Sequence, residues 1–426
     1  MPTITKNISV CAAAAISSLV FCAFLYATEL DETPDYLEIK RVLQSNDLPE
    51  RRGIKVANNK ATIHAAIKSE EQIDTNVFYD NTNRRTDIIS ILRPSLGFVV
   101  PFGPHRMSAD YELSPHYYGV YHDQNHLDHL GRFLLDIRLG KAHITAKDTF
   151  TIFTDRAANE DSVRLQETVN NFRFGVAAEL NKMQYDIGYS NIIQTYNSTN
   201  LWNGNLTYED KNHVYNIIDA SMSYRFMPKT DVIIENDIGT IHYYNTSQVP
   251  GSWFDEILVG FKGDWFARMS LDFKTGFRYQ QYEGSPFMAH KTYIGPVARG
   301  GFQYEASKGD LIILTLQRSV DESTYANMNY YVANLVGLEY KKIYKEKVIS
   351  RFYGSYQLHT YPSESSENGK TAKRIDNYLK GGINLRYNMS RWLSFDIKYE
   401  CTNKSSNFDM YDYLDHLISL SGTAGF

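Results

Sequence analysis

The sequence predicts an all-β protein, a transmembrane antiparallel up-and-down β-barrel of about eighteen strands. Three observations carry this. Tyr 32 and Phe 22 bring the aromatic content to 14%, an excess that suits strands and the interfacial girdles of a membrane barrel. Apolar and polar residues alternate with period two in stretch after stretch, as strands with one apolar face require. Short turns recur roughly every forty residues, the repeat of a two-strand hairpin with its connections, and they alternate with longer polar loops. That asymmetry between the two ends is characteristic of barrels in the bacterial outer membrane.

Residues 1–27 read as a secretory signal. Lys6 supplies the positive start, Ile8 to Tyr26 is almost uninterrupted apolar or small, and acidic residues begin directly afterwards. Cleavage is expected after Ala27. Of three cysteines only Cys401 then remains, so no disulfide can form within one chain. Losing Lys6 moves the formal charge from −5 to about −6, a mild value that gives no sign of a nucleic-acid partner. Mean hydropathy is −0.40, and no later stretch is apolar enough for a membrane helix.

Residues 28–60 form a periplasmic N-terminal segment. Thr33 can cap a short helix whose first position is Pro34. Tyr36, Ile39, Val42 and Leu43 would share one face of it. A contact helix, a plug for the barrel and a loosely ordered leader are all compatible with this pattern.

Residues 61–426 carry the barrel. Short turns fall near Gly103, Lys141, Asn181, Lys229, Ala267, Lys308, Tyr344 and Ser390, in runs rich in Gly, Pro, Asn and Lys. Polar connections such as YHDQNHLDH, TDRAANEDS, TYNSTNLWNGN and YPSESSENGKTAK lie between them. An even strand count puts both ends of the barrel on the short-turn, periplasmic side. Leu393, Phe395, Ile397 and Tyr399 alternate with Ser394, Asp396, Lys398 and Glu400, and Phe133 to Leu139 alternates with Arg132, Asp136 and Arg138. Met269, Leu271, Phe273 and Phe277 likewise alternate with Asp272, Lys274 and Arg278. Lipid on one face enforces the pattern, because a charge at its midplane costs roughly 2–4 kcal/mol. Pro94 and Pro296 fall inside strands and remove a ladder donor, marking a bulge or the outer end of a paired stretch. Leu311 to Leu316 is apolar on both faces, which suits a plug or a packed interior layer. At the end of the chain Ile418, Leu420, Gly422, Ala424 and Phe426 share one face. Such a strand needs a partner along its edge, and the strand around Ala61 to Phe78 supplies it.

The inward register collects arginines: Arg93, Arg132, Arg138, Arg173, Arg225, Arg278, Arg299 and Arg386. Asp110, Glu112, Asp136, Glu179, Asp219, Asp264, Asp272, Glu305, Asp396 and Glu400 share those faces. As a functional set they line a conduit in which an anionic or polyhydroxylated solute exchanges hydration for hydrogen bonds. As a structural set they brace the wall in pairs, and the interleaving of signs favours bracing for any single residue. Tyr293 and Tyr353 also face inward. His122, His126 and His129 with Asp123 and Asp128 have types and spacings compatible with a divalent metal, but an ordinary solvated loop explains them more simply, and no metal is expected. No nucleophile has a base within reach, so neither an enzyme nor a cofactor is expected. Cys401 is expected to face lipid as an inert side chain.

The run from Arg51 to Phe98 contains Gly53-Ile54, Asp74, Asn76-Val77-Phe78, Asp87 and Pro94. In these residues the chain resembles the outer-membrane β-barrel porin family associated with exopolysaccharide and capsule gene clusters. Its closing strand departs from the usual aromatic-rich ending, since Gly422, Ala424 and Gly425 are small. The resemblance implies a channel taking part in exopolysaccharide export. It also implies outer-membrane lipids, polysaccharide and periplasmic export proteins as partners. Phe426 would be the terminal aromatic recognised by barrel-assembly machinery. A general small-solute porin and a non-conducting barrel that scaffolds a periplasmic partner are the rival readings.

Overall fold

The computed structural model describes residues 53–56, 60–155, 165–196, 212–244, 250–283, 291–323, 328–345 and 347–426. The expected signal segment and the helix after Pro34 lie outside these residues. A short strand, β1 (Ile54–Val56), precedes the barrel. The barrel begins with β2 (Ala61–Asp74), β3 (Asp87–Phe102), β4 (His105–Tyr118), β5 (His126–Leu139), β6 (Ala142–Asp155) and β7 (Leu165–Leu180). It continues through β8 (Met183–Tyr196), β9 (His213–Met227), β10 (Thr230–Tyr243), β11 (Ser252–Phe266), β12 (Met269–Tyr282) and β13 (Thr292–Ser307). It ends with β14 (Asp310–Glu322), β15 (Tyr330–Tyr344), β16 (Val348–Glu367), β17 (Lys370–Asn388), β18 (Leu393–Ser406) and β19 (Tyr413–Gly425). Every strand pairs antiparallel with its chain neighbour, and β19 pairs with β2. Of the nineteen strands among the described residues, β2 to β19 therefore form a closed eighteen-stranded barrel. Closure leaves no free edge, which is what a lipid environment requires of sheet.

Alternation becomes geometry directly. On β3, Ile88, Leu92, Leu96 and Phe98 are exposed, whereas Asp87, Ile89 and Ile91 in the other register are buried. Exposed Phe395, Ile397 and Tyr399 on β18 alternate with buried Ser394, Asp396 and Glu400 in the same way. Exposed apolar side chains thus form the lipid-facing surface, and the polar register points inward. Cys401 shares the outward register of Tyr399, beside outward-facing His416 on β19.

The closing seam is built from the residues expected to form it. Nine residue pairs join β19 to β2, from Leu417–Asp74 to Gly425–Ala66. Phe426 extends the ladder by donating its N–H to the Ala65 carbonyl at 3.0 Å and accepting from Ala65 N–H at 3.1 Å. Below that point β1 pairs with the start of β2, Ile54 opposite Ile63. It covers the edge that β19 is too short to reach. Of the small tail residues Gly425 has a steric reason, since a Cβ there would sit 2.8 Å from Ala66 Cβ, whereas one at Gly422 would make an ordinary 3.5 Å contact with Phe395.

Two expectations change. YPSESSENGKTAK is not an open loop but the tip of the β16–β17 hairpin, turning at Asn368 (φ 50°) and Gly369 (φ 78°). Asn-Gly with both φ positive is the two-residue turn that matches strand twist. YHDQNHLDH contracts to one 3-10 turn at His122–Gln124, and its second half already belongs to β5.

The prolines act as their chemistry demands. On β13 the pairing with β14 runs outward from the turn only as far as Ala298–Arg318, and Pro296 lies two residues beyond. The Pro296 carbonyl accepts instead from Arg318 Nε at 3.0 Å. Pro94 coincides with a lapse in β3–β4 pairing between Ile91–His116 and Ser95–Glu112. In the doubly apolar strand β14, Ile313 is buried in the inward register, with Gln303 and Glu339 as its cross-strand neighbours.

Candidate functional site on the inner wall

All eight singled-out arginines lie in the inward register, and each has a carboxylate partner. Arg93 meets Glu70, Arg132 meets Asp110 at 3.3 Å, and Arg138 meets Asp136 at 3.4 Å. Arg225 meets Asp231 at 3.2 Å and Arg386 meets Asp396 at 2.8 Å. Arg278 approaches Glu256 at 3.6 Å, with its guanidinium 3.8 Å above the Phe254 ring. Asp272 faces Lys262 across the β11–β12 pair at 3.8 Å.

The remaining two arginines reach beyond the adjacent strand. Arg173 on β7 bonds Asp186 on β8 at 2.8 Å and also Asp219 on β9. It can do so because Gly188 lies between them: a Cβ there would sit 2.4 Å from the guanidinium and 2.6 Å from the Asp219 carboxylate. Tyr353 uses the same device, passing over Gly382 to donate its hydroxyl to Glu400 at 3.0 Å.

Arg299 is the centre of the largest charged group. One of its nitrogens lies 2.8 Å from Glu235, 2.8 Å from Asp237 and 3.1 Å from Glu256. Lys274 adds a bond to Glu235 at 2.7 Å. Three carboxylates from β10 and β11 are thereby matched by three cations from β12 and β13, counting Arg278. A removed cation would leave like charges facing one another in a partly dry wall, where they are screened poorly.

Exposure divides the inner charges into two kinds. Arg374 and Asp376, paired at 2.7 Å, are both 0% exposed. Lys404 lies 3.5 Å from Asp376, and the Tyr411 ring covers Arg374 at 3.7 Å. Such a group is interior structure. By contrast Arg132 and Asp110 keep 49% and 47% exposure, and Arg138 keeps 65%. Lys262 on the wall and, at the short-turn rim, Lys229 with Asp264 are comparably open. These are the charges a solute can touch. Tyr293 and Tyr353 are buried, and the Tyr293 hydroxyl donates to the Pro296 carbonyl at 3.3 Å.

Glu235, Asp237, Glu256, Arg374 and Asp376 escaped the sequence reading. In Glu235-Asn236-Asp237 and Asp255-Glu256 the polar residues are contiguous, so polarity alone does not say which face is inward. The structure turns Asn236 and Asp255 outward, bonded to each other at 2.6 Å. The histidine run is also redistributed. His122 Nδ1 meets the Tyr118 carbonyl at 2.6 Å and outward-facing His129 meets the Tyr111 hydroxyl at 2.5 Å. His126 and Asp128 instead gather with His116.

The entry motif forms a knot at the outer end of the closing seam. Asp74 accepts from Asn76 N–H at 2.9 Å, and the Asn76 amide donates to the carbonyls of Asp80 (2.9 Å) and Leu414 (3.1 Å). Val77 is fully buried with Ile89, Ile91 and Tyr118. Phe78 packs edge-on against Tyr121 and beneath Arg85. Asp87 accepts the N–H groups of Val120 and Tyr121, both at 2.9 Å.

No curated protein matches the chain. Among solved structures, the barrel is similar to the outer membrane protein OpdK from Pseudomonas aeruginosa, 10% identical over 86% of this chain and 99% of that one, with TM-score 0.46. Acinetobacter baumannii OccAB4 is 11% identical over 87% and 100% of the two chains, with TM-score 0.47. A BenF-like porin from Pseudomonas fluorescens Pf-5 is 10% identical over 88% and 100%, with TM-score 0.46. A family model described as Putative beta-barrel porin 2 matches residues 53–425, so nearly the whole described barrel lies within it. The chain belongs to that porin family and is a β-barrel of the outer membrane.

Proposed function

We propose that the barrel is a passive channel for small polar solutes, and not an enzyme. The observation that carries this reading is the chemistry of the accessible inner charges. Arg132–Asp110, Arg138–Asp136, Lys229–Asp264 and Lys262–Asp272 present both signs side by side. A polar solute can trade hydration for hydrogen bonds along such a wall, while neither cations nor anions meet a field of one sign. The expected signature in a planar bilayer is a steady conductance with weak ion selectivity. A barrel that stays closed, also after deletion of residues 28–52 (which spares β1), overturns the proposal.

Exopolysaccharide export is the second reading. The entry motif between Gly53 and Pro94 supports it through the resemblance it carries. Tyr353 and Tyr293 are already engaged by Glu400 and by the Pro296 carbonyl, so neither adds support as a sugar-stacking surface. Block of the conductance by one glycan, and not by unrelated polymers of equal size, would favour export. In either reading Phe426 serves as the terminal aromatic that assembly machinery reads.

A further inference from the structure

We propose that His116, His126 and Asp128 form a binding site for one divalent transition-metal cation of the zinc type at the loop end of β4 and β5. The inference is independent of what the channel carries. One donor atom from each side chain lies within 4.8 Å of the other two. His116 and His126 are directly paired across the ladder, and Asp128 is two residues along the same inward face. Their side chains keep only 16%, 8% and 20% exposure, a partly dry setting in which a cation is held more tightly than on an open loop.

Two of the donor edges come close to those of a tetrahedral ion. With metal–ligand bonds of about 2.0–2.1 Å, neighbouring donors of a tetrahedral site stand about 3.3–3.4 Å apart. Asp128 Oδ2 lies 3.4 Å from His116 Nε2 and 3.8 Å from His126 Nε2. The first edge already has the required length, and the second closes by about half an ångström on ligation. The two imidazoles stack with centroids 4.3 Å apart and planes inclined by 22°, so ligation requires them to tilt apart until both in-plane lone pairs meet the ion.

Outer contacts orient the donors. His126 Nδ1 lies 2.7 Å from the Gln124 carbonyl, a pure acceptor, so Nδ1 carries a proton and Nε2, on the side of Asp128, is the nitrogen that can ligate. The other oxygen of Asp128 accepts from Thr154 N–H on β6 at 3.0 Å, which leaves Oδ2 turned toward the histidines. A carbonyl-fixed histidine tautomer and an anchored carboxylate are the supports that metal sites use. Three protein ligands leave a fourth position for water or an anionic group. The ion would clamp β4, β5 and, through Thr154, β6.

Tag-free protein in detergent, titrated with Zn²⁺ by calorimetry and with Co²⁺ by visible absorption, tests this. We expect saturable binding of one ion per chain, a tetrahedral Co²⁺ spectrum and a higher unfolding temperature with Zn²⁺. His116→Ala and Asp128→Asn should each weaken binding at least about tenfold. His122→Ala, in the same loop but outside the cluster, should change it less than about twofold. Unheated gel mobility identifies folded protein for each variant. Absence of saturable binding overturns the site, as does affinity lost in His122→Ala and kept in His116→Ala. If His116→Ala does not fold, Asp128→Asn alone decides by the same thresholds.

Discussion

Replacing Asn76 with alanine probes how the wall is closed. The side chain is 0% exposed. It donates to Asp80 O at 2.9 Å and Leu414 O at 3.1 Å, and accepts from Asp80 N–H at 3.0 Å. Leu414 is the second residue of β19, so one amide fastens the β2–β3 connection to the strand that completes the cylinder. Each such bond contributes about 1 kcal/mol net, and the backbone groups left behind are kept from water, so the loss should be about 3 kcal/mol. That is roughly a hundredfold shift of the unfolding equilibrium. Asn81 is the internal control, because its amide makes an equally long-range bond to Asp409 O at 2.7 Å but in an exposed position. Asn81→Ala should cost below about 0.5 kcal/mol. Urea unfolding in lipid vesicles, followed by tryptophan fluorescence and by gel mobility, measures both. If the two variants unfold at the same urea concentration as the parent, the buried amide is not what holds the seam.

Three more outcomes follow from the same geometry. Deleting Phe426 removes two backbone bonds to Ala65 at the end of the seam, and outer-membrane levels should fall while export to the periplasm continues; normal membrane levels would refute its assembly role. Arg299→Gln should destabilise the barrel by about 2 kcal/mol, less than the 3–5 kcal/mol of a fully buried pair because Arg299 keeps 22% exposure. In bilayers it should also shift selectivity toward cations, since three carboxylates lose their shared partner, and unchanged reversal potentials would count against that. Gly188→Leu should break the Arg173–Asp219 bond by filling the space it crosses, so that adding Asp219→Asn to it costs almost nothing further in a double-mutant cycle.

The parts of this barrel that could be read from the chain are those set by neighbours in sequence. Turns at Gly103, Lys141 and Asn181 announce themselves through residues that accept tight backbone. Of these, Gly103 and Asn181 adopt positive φ. The inward faces of Arg132, Arg173 and Arg386 follow from clean alternation with outward-facing Phe133, Phe172 and Phe174, and Leu385 and Tyr387. Where polar residues run together, as at Glu235-Asn236-Asp237, the period disappears and the face becomes a matter of pairing. The tip of β16 and β17 shows a related effect. Its Ser, Glu and Lys residues no longer alternate and read as loop, although Asn368-Gly369 is a strong hairpin signal. Bonds that skip a strand, such as Arg173 to Asp219, depend on a glycine in a third segment, and no local pattern contains all three.

The entry motif shows most clearly what kind of information such patterns hold. Asp74, Asn76, Val77, Phe78 and Asp87 look like a signature with a functional meaning. In the structure they satisfy one another, the connection to β5 and the start of β19. Every one of these contacts would be needed by any barrel that closes this way, whatever passes through it. A motif of this kind therefore travels with the manner of closure, and it argues for family membership more strongly than for cargo. Cargo must be read from side chains that closure does not consume, namely the exposed pairs around Arg132, Arg138, Lys229 and Lys262. Those pairs have both signs, and Asp136 also meets the His143 imidazole. Paired charges of both signs are what the proposed passage of small hydrated solutes needs, and the conductance experiment is the one that decides between the two cargoes.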